Sequence, residues 1–258
     1  MPSVLFEVKN SIAFVSLNRP EKYNAFNRDM SKTLQEVLDQ CEESKQIRCV
    51  YLTGSGKAFS SGQDLTEVID PDGPDTHTII SEFYNPIIKK IRNLSKPVVA
   101  AINGAAAGAG ANIGLSADIV VAARSAFFVQ AFSKIGLIPD CGGTYFLPRL
   151  IGLQKTLALT MLGDKVSADE AERIGMIYKV FDDHSFAEES MNIAMKLAQL
   201  PTKALAFTKQ AINKSLSNNL EDQLNTEEVL QIKAGRTNDF KEGVAAFLEK
   251  RTPVFKGE

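Results

Sequence analysis

Acid–base groups are sparse where this chain is small and apolar. Between Gly104 and Leu147 the only carboxylates are Asp118 and Asp140, and the only cationic side chains are Arg124 and Lys134. Asp140 stands in Gly136-Leu-Ile-Pro-Asp-Cys-Gly-Gly-Thr144. A carboxylate lodged in such a stretch has its charged form disfavoured, which raises its pKa and suits a general base working near neutral pH. The competing role is a helix N-cap, with Asp140 starting a helix that runs to Leu150. Asp118 opens a strand directly after a helix, a position for capping or salt bridging. His77 and His184 lie in polar segments and read as solvated. No Gly-x-Ser-x-Gly occurs, and no His, Cys or Asp cluster has metal-ligand spacing, so neither a Ser–His hydrolase nor a metal centre is indicated.

Two glycine-rich segments could bring backbone close to a ligand. Thr53-Gly-Ser-Gly-Lys-Ala-Phe-Ser-Ser-Gly-Gln-Asp-Leu65 follows a buried strand and is either a binding loop or an ordinary loop with turn glycines. It does not fit the phosphate-cradling GxxxxGK[ST] pattern. Gly108-Ala-Gly-Ala-Asn-Ile-Gly114 is spaced GxGxxxG, one residue longer than the dinucleotide fingerprint. Placed after a strand and before a helix, it offers the free N–H donors and partial positive charge of a helix start, suited to an anion or a developing oxyanion. Its small residues would equally let the helix pack tightly against its neighbours.

The elements that must carry these groups follow from hydrophobic spacing. Val4–Lys9 and Ile12–Leu17 read as a hairpin around Asn10-Ser11. Arg28–Glu43 and Thr76–Leu94 carry apolar residues at helical spacing, and each is followed by a buried strand, at 48–53 and at 97–102. After the glycine–alanine turn at 104–110 come a short helix and a strand at Ile119–Ala123. From Leu153 onward the pattern is helical apart from one strand-like stretch, Ile177–Phe181, with helices expected at 154–162, 168–174, 185–200, 202–218, 220–234 and 239–251. An α/β core through residue 195, followed by a helical region at 196–258, is the expected organisation.

Bulk properties narrow the function classes. At 258 residues the chain can bury a core without covalent staples. With 29 basic and 31 acidic residues, net charge −2 and no basic block, a nucleic-acid partner is not expected. Three cysteines without CxxC spacing indicate neither disulfides nor a zinc knuckle, and a reducing, cytoplasmic setting is expected. The N-terminus lacks the charged-then-apolar layout of a signal peptide, and no stretch reaches the roughly 18 apolar residues of a membrane span.

These signals converge on a resemblance. Leu17-Asn-Arg-Pro-Glu-Lys-Tyr-Asn-Ala25, Ala58-Phe-Ser-Ser-Gly-Gln-Asp-Leu65, Lys96-Pro-Val-Val-Ala-Ala-Ile-Asn-Gly104, Ser116-Ala-Asp-Ile119 and Gly136-Leu-Ile-Pro139 with Gly142-Gly-Thr144 occur in the order and at the distances of the crotonase (enoyl-CoA hydratase/isomerase) family. The chain resembles that family over essentially its full length. More narrowly, 131–144 and Phe247-Leu-Glu-Lys-Arg251 look like the corresponding segments of the family's ring-1,2-epoxyphenylacetyl-CoA isomerases of phenylacetate breakdown. The resemblance implies a ββα spiral core with a helical C-terminal trimerisation region, and a homotrimer or dimer of trimers. It implies an acyl-CoA thioester substrate with no separate cofactor, and other acyl-CoA catabolic enzymes as candidate partners.

By the same resemblance, the main-chain N–H groups of Gln63 and Ala109 would hold the thioester oxygen, with Gly62 and Gly108 beside them. The substrate site would further draw on Lys22, Ala25, Ser61, Asp64 and Leu65, and on Lys250 from a neighbouring subunit. Glu67–Ile80 would wall the acyl pocket. The family's hydratases position water with two glutamates; at the matching positions this chain has Asn112 and Phe132. Without both acids, hydration is disfavoured. Asp140 instead matches the single carboxylate of the isomerases, which implies proton removal next to the thioester carbonyl and isomerisation of a ring epoxide or of a 3-enoyl chain. The alternatives are an enoyl-CoA hydratase and a non-catalytic binding protein on the same fold.

Overall fold

The computed structural model describes residues 1–258. Chain entry is a hairpin of β1 (Val4–Lys9) and β2 (Ile12–Leu17), paired antiparallel through Val4–Leu17. Its turn residues Asn10 and Ser11 both have positive φ, 52° and 61°, the twist that a two-residue hairpin turn demands. A short turn at Pro20–Lys22 leads to α1 (Arg28–Glu43), whose N-cap Asn27 Oδ1 accepts from the Met30 N–H at 3.0 Å.

From there the chain winds as a spiral in which each turn feeds one strand to each of two sheets. β3 (Cys49–Gly54) passes to β4 (Ala58–Ser60), β5 (Val98–Ile102) to β6 (Ala105–Ala107), and β7 (Ile119–Ala123) to β8 (Phe127–Val129). The larger sheet has the order β1-β2-β3-β5-β7-β10, parallel from β2 onward, with β10 at Lys179–Phe181. The smaller sheet is β4-β6-β8-β9, where β9 (Lys165–Ser167) runs antiparallel to β8. This is the expected ββα spiral.

Between β4 and β5 lie α2 (Leu65–Val68), α3 (Thr76–Thr78), a π-helical turn Ile79–Tyr84 and α4 (Asn85–Asn93), the last three running on as one rod. Ile79, Phe83, Ile87 and Ile91 are buried as the spacing predicts, but the wider π turn also carries Tyr84 inward, an inserted turn of the kind that often marks functional sites. After β6 comes α5 (Gly108–Leu115), buried along almost its whole length. Only small residues allow that position: a Cβ on Gly110 would stand 2.4 Å from Ser60 Oγ, and one on Gly114 2.9 Å from Ile102 Cδ1.

The structure differs from the expectation in three ways. Short strands β4 and β6 replace what reads as loop or turn, β8 lies where no element is expected, and β9 is a second strand beyond Leu153. The helices expected to end at Leu150 and begin at Gln154 are one element, α6 (Gly143–Leu162), broken at Gly152 (φ 76°, ψ 165°). Asp140 is not its N-cap: Gly142 takes that place in a left-handed conformation and no side chain caps the helix. Next come α7 (Ala168–Arg173), α8 (Phe186–Gln199), α9 (Thr202–Ser215), α10 (Leu220–Gly235) and α11 (Asn238–Glu249). The C-terminal tail folds back onto the core, where the Asp239 carboxylate accepts from the Lys256 and Gly257 N–H groups, both at 2.7 Å, and Arg48 donates to the Phe255 carbonyl. Asp118 is structural: it accepts from the Val98 N–H and from Lys209, each at 2.8 Å.

Candidate active site

Parallel pairing sets the first half of the site. After β4 the chain forms an isolated bridge with residue 26, in which the Phe26 N–H donates to the Gly62 carbonyl at 2.7 Å and the Asp64 N–H donates to the Phe26 carbonyl at 2.8 Å. Because neighbouring peptides in an extended strand point oppositely, the intervening Gln63 N–H faces away from this bridge and has no protein acceptor. Ala109, the second residue of α5, has an N–H that no carbonyl of its own helix can reach. Glycine brings the two segments together. Gly62 has φ +90°, and a Cβ on it would stand 2.9 Å from the Ala107 carbonyl oxygen and 3.5 Å from the Ala109 nitrogen. Two free main-chain donors thus meet at the start of a buried helix.

Asp140 belongs to the same cavity wall as these donors. Its carboxylate is largely buried, and Oδ1 has no hydrogen-bond partner. Burial pushes its pKa up to about 6, against the smaller opposing pull of the Cys141 thiol and its own backbone N–H. The left-handed backbone at Cys141 (φ 49°) and Gly142 (φ 73°) turns the chain sharply into α6 directly after this side chain.

Donors and carboxylate share the wall of one cavity of about 450 Å³, whose lining is mostly apolar. Of the residues expected at the site, Ser61, Gly62, Gln63, Leu65, Gly108, Ala109, Phe132 and Asp140 line it. Phe132 packs against Gly108, whose Cβ would come within 3.7 Å of the ring. Within 67–80, the residues on the wall are Val68, Thr76, Ile79 and Ile80. A larger surface groove of about 740 Å³ between α9 and α10 carries none of these groups.

Other expected residues lie off the wall. Lys22 is exposed beside the mouth, where its carbonyl accepts from Ser61 Oγ at 3.3 Å. Ala25 is buried, with its carbonyl bound by Arg19. Asp64 caps α2 and pairs with Arg19 at 2.8 Å; burial pushes its pKa up, but Thr66 and Arg19 outweigh that and leave it low. Asn112 is buried behind the wall, and Lys250 caps α11 on the surface. Tyr84 escaped the sequence reading although it lines the cavity and donates its hydroxyl hydrogen to Gln63 Oε1. Its signal was a lone phenol beside an otherwise apolar helix face.

The family model described as enoyl-CoA hydratase/isomerase matches residues 7–258. The chain belongs to the enoyl-CoA hydratase/isomerase family. Within this family of acyl-CoA enzymes it is 48% identical over 261 residues to the 1,2-epoxyphenylacetyl-CoA isomerase of Escherichia coli (strain K12), covering 100% of both chains. A Rhodobacter capsulatus protein named "Probable enoyl-CoA hydratase" is 43% identical over 255 residues, with 99% of this chain and 98% of the relative covered. Among solved structures, an enoyl-CoA hydratase from Bacillus anthracis superposes with a TM-score of 0.92 at 33% identity, covering 99% of this chain and 100% of the other. The family thus includes relatives named for two different reactions, and the groups on the cavity wall must discriminate between them. No group of three or more His, Cys, Asp or Glu side chains is placed to hold a metal ion, and no helix is long and apolar enough to cross a membrane.

Proposed function

We propose that this enzyme isomerises acyl-CoA thioesters by moving a proton from the carbon next to the carbonyl. The supporting observation is that Asp140 is the one carboxylate on the cavity wall, largely buried, unpartnered at Oδ1 and sharing that wall with two free main-chain donors. With the thioester oxygen held by the Gln63 and Ala109 N–H groups, Asp140 removes the α-proton. Negative charge then develops on the oxygen, where each donor contributes about 3 kcal/mol to transition-state stabilisation. In a 3-enoyl chain the enolate electrons move along the acyl group and the protonated aspartate returns its proton two carbons away. In the ring epoxide the bond between the two epoxide carbons opens to the seven-membered oxepin and the proton returns to a ring carbon. No atom is added or lost.

Addition of water would need one group to hold the nucleophile and another to donate a proton, and the wall offers a single acid–base carboxylate. That favours isomerase over hydratase. Of the two candidate acyl groups, the ring 1,2-epoxide of phenylacetyl-CoA, rearranging to the oxepin, is favoured over a straight 3-enoyl chain. Similarity to the Escherichia coli isomerase supports it, as does a polar pair, Tyr84 and Gln63, set in a mostly apolar pocket. The CoA portion belongs to the substrate and no further cofactor takes part. The enzyme works in the cytoplasm as a homotrimer or dimer of trimers, with Lys250 of one subunit near the CoA of the next, and alongside other acyl-CoA catabolic enzymes. Incubation with the ring-epoxide, 3-enoyl and 2-enoyl CoA esters, followed by mass and absorbance, tests this reading. Isomers of unchanged mass are expected from the first two, whereas rapid gain of one water by the 2-enoyl ester overturns it.

A further inference from the structure

Behind the cavity wall runs a chain of buried amides that the reaction above does not use. Asn112 on α5 is 1% exposed and Gln130, just after β8, is 4% exposed. Gln130 Nε2 donates to Asn112 Oδ1 at 2.8 Å, and Asn112 Nδ2 donates to the main-chain carbonyl of Asp140 at 2.9 Å. The Gly143 N–H donates to the same carbonyl at 2.8 Å. This relay has one polarity. Because the main-chain carbonyl of Asp140 can only accept, Asn112 must present its nitrogen to residue 140, which leaves its oxygen to accept from Gln130. Space for it exists only because residue 143 is glycine, where a Cβ would stand 2.3 Å from Asn112 Nδ2.

Asp140 needs such an anchor. The chain before it, 133–138, is exposed, and the residue after it is in the left-handed region. Apart from the adjoining Cys141 thiol, no side chain holds the carboxylate itself. The direction of the side chain is therefore set at its peptide, and the group that ties that peptide to the rigid, buried α5 is the Asn112 amide. We infer that Asn112, oriented by Gln130, is a positioning residue that aims Asp140 into the cavity. This rests on the reading of Asp140 as the base. A carboxylate at 112 has no hydrogen to donate, would confront the carbonyl oxygen, and as a nearby negative charge would keep the proton on Asp140 to higher pH.

Two variants separate positioning from folding. Asn112→Asp keeps the size and loses the donor, while Gln130→Met keeps the bulk and loses the group that orients Asn112. Steady-state kinetics over a pH series with a CoA ester that the wild type isomerises should show kcat of Asn112→Asp reduced on the order of 100-fold. Its KM should be little changed, and the acidic limb of its kcat profile should move to higher pH. Gln130→Met should lose about tenfold in kcat, comparable to one hydrogen bond. Placed on an Asp140→Asn background, Asn112→Asp should cause no further loss, because it acts through that side chain. Wild-type kcat and an unmoved acidic limb in folded Asn112→Asp overturn the inference, as does a double variant slower than Asp140→Asn. If Asn112→Asp does not fold, unchanged kcat in Gln130→Met overturns it alone. Full activity of Asp140→Asn is a separate result that removes the base itself.

Discussion

Replacing Asp140 by asparagine should make the protein more stable at neutral pH while removing its base. Burial holds this carboxyl at about 6 against an ordinary 3.8. The folded state therefore binds the proton more tightly than the unfolded chain, and the ionised carboxylate is a destabilising group. At ~1.4 kcal/mol per pH unit the difference corresponds to ~3 kcal/mol, fully felt above the folded pKa and gone below the unfolded one. Asparagine has nearly the same shape and no charge. Its advantage at about pH 8 should be ~2–3 kcal/mol, or about 5–10 °C in Tm for a chain of this size, and should vanish as the pH approaches 4. Calorimetry of both proteins across that range measures it. An Asn variant no more stable than wild type at about pH 8, or an advantage that persists unchanged at about pH 4, would refute the reasoning that Asp140 is a destabilised, buried base.

The remaining expectations concern activity. In kcat/KM against pH, the acidic limb should be half-maximal near pH 6, because Asp140 must be ionised and burial raises its pKa to about 6; a limb near pH 4 counts against this assignment. Gly62→Ala should lose most activity and on the order of 1–3 kcal/mol of stability, since the residue has φ +90° and its Cβ would stand 2.9 Å from the Ala107 carbonyl oxygen; retention of both would show that the two donor segments do not need this close approach. Tyr84→Phe removes the hydroxyl that fixes the Gln63 side chain and should cost about tenfold in kcat/KM with the ring-epoxide ester. Its effect on a straight 3-enoyl ester should be smaller, and equal losses on both would remove the polar pair from substrate choice.

The larger sheet and the first helices were legible because their signals are local. β1, β2, α1 and β7 occupy the spans that the sequence indicates, α1 through apolar residues at helical spacing and the strands as short apolar-rich runs. β4, β6, β8 and β9 are three residues each, too short for any period, and they exist because non-local partners complete their ladders. Asp140 stood out through its apolar surroundings. Its freedom from a capping role did not, because the choice of Gly142 as N-cap depends on the left-handed turn at 141–142. Tyr84 was hidden by a π turn that changes which face of the helix looks inward, and the Asn112 relay by its dependence on a carbonyl 28 positions away in sequence. The paired donors at Gln63 and Ala109 entered through family likeness rather than composition, since main-chain groups leave no trace in residue type.

Solvent-deuterium exchange at the carbon next to the thioester probes the central claim most directly. In heavy water, the wild-type enzyme should wash deuterium into that carbon of a bound CoA ester, while Asp140→Asn should bind the same ester with similar affinity and incorporate almost none. Exchange at the wild-type rate in the Asn variant would contradict the account.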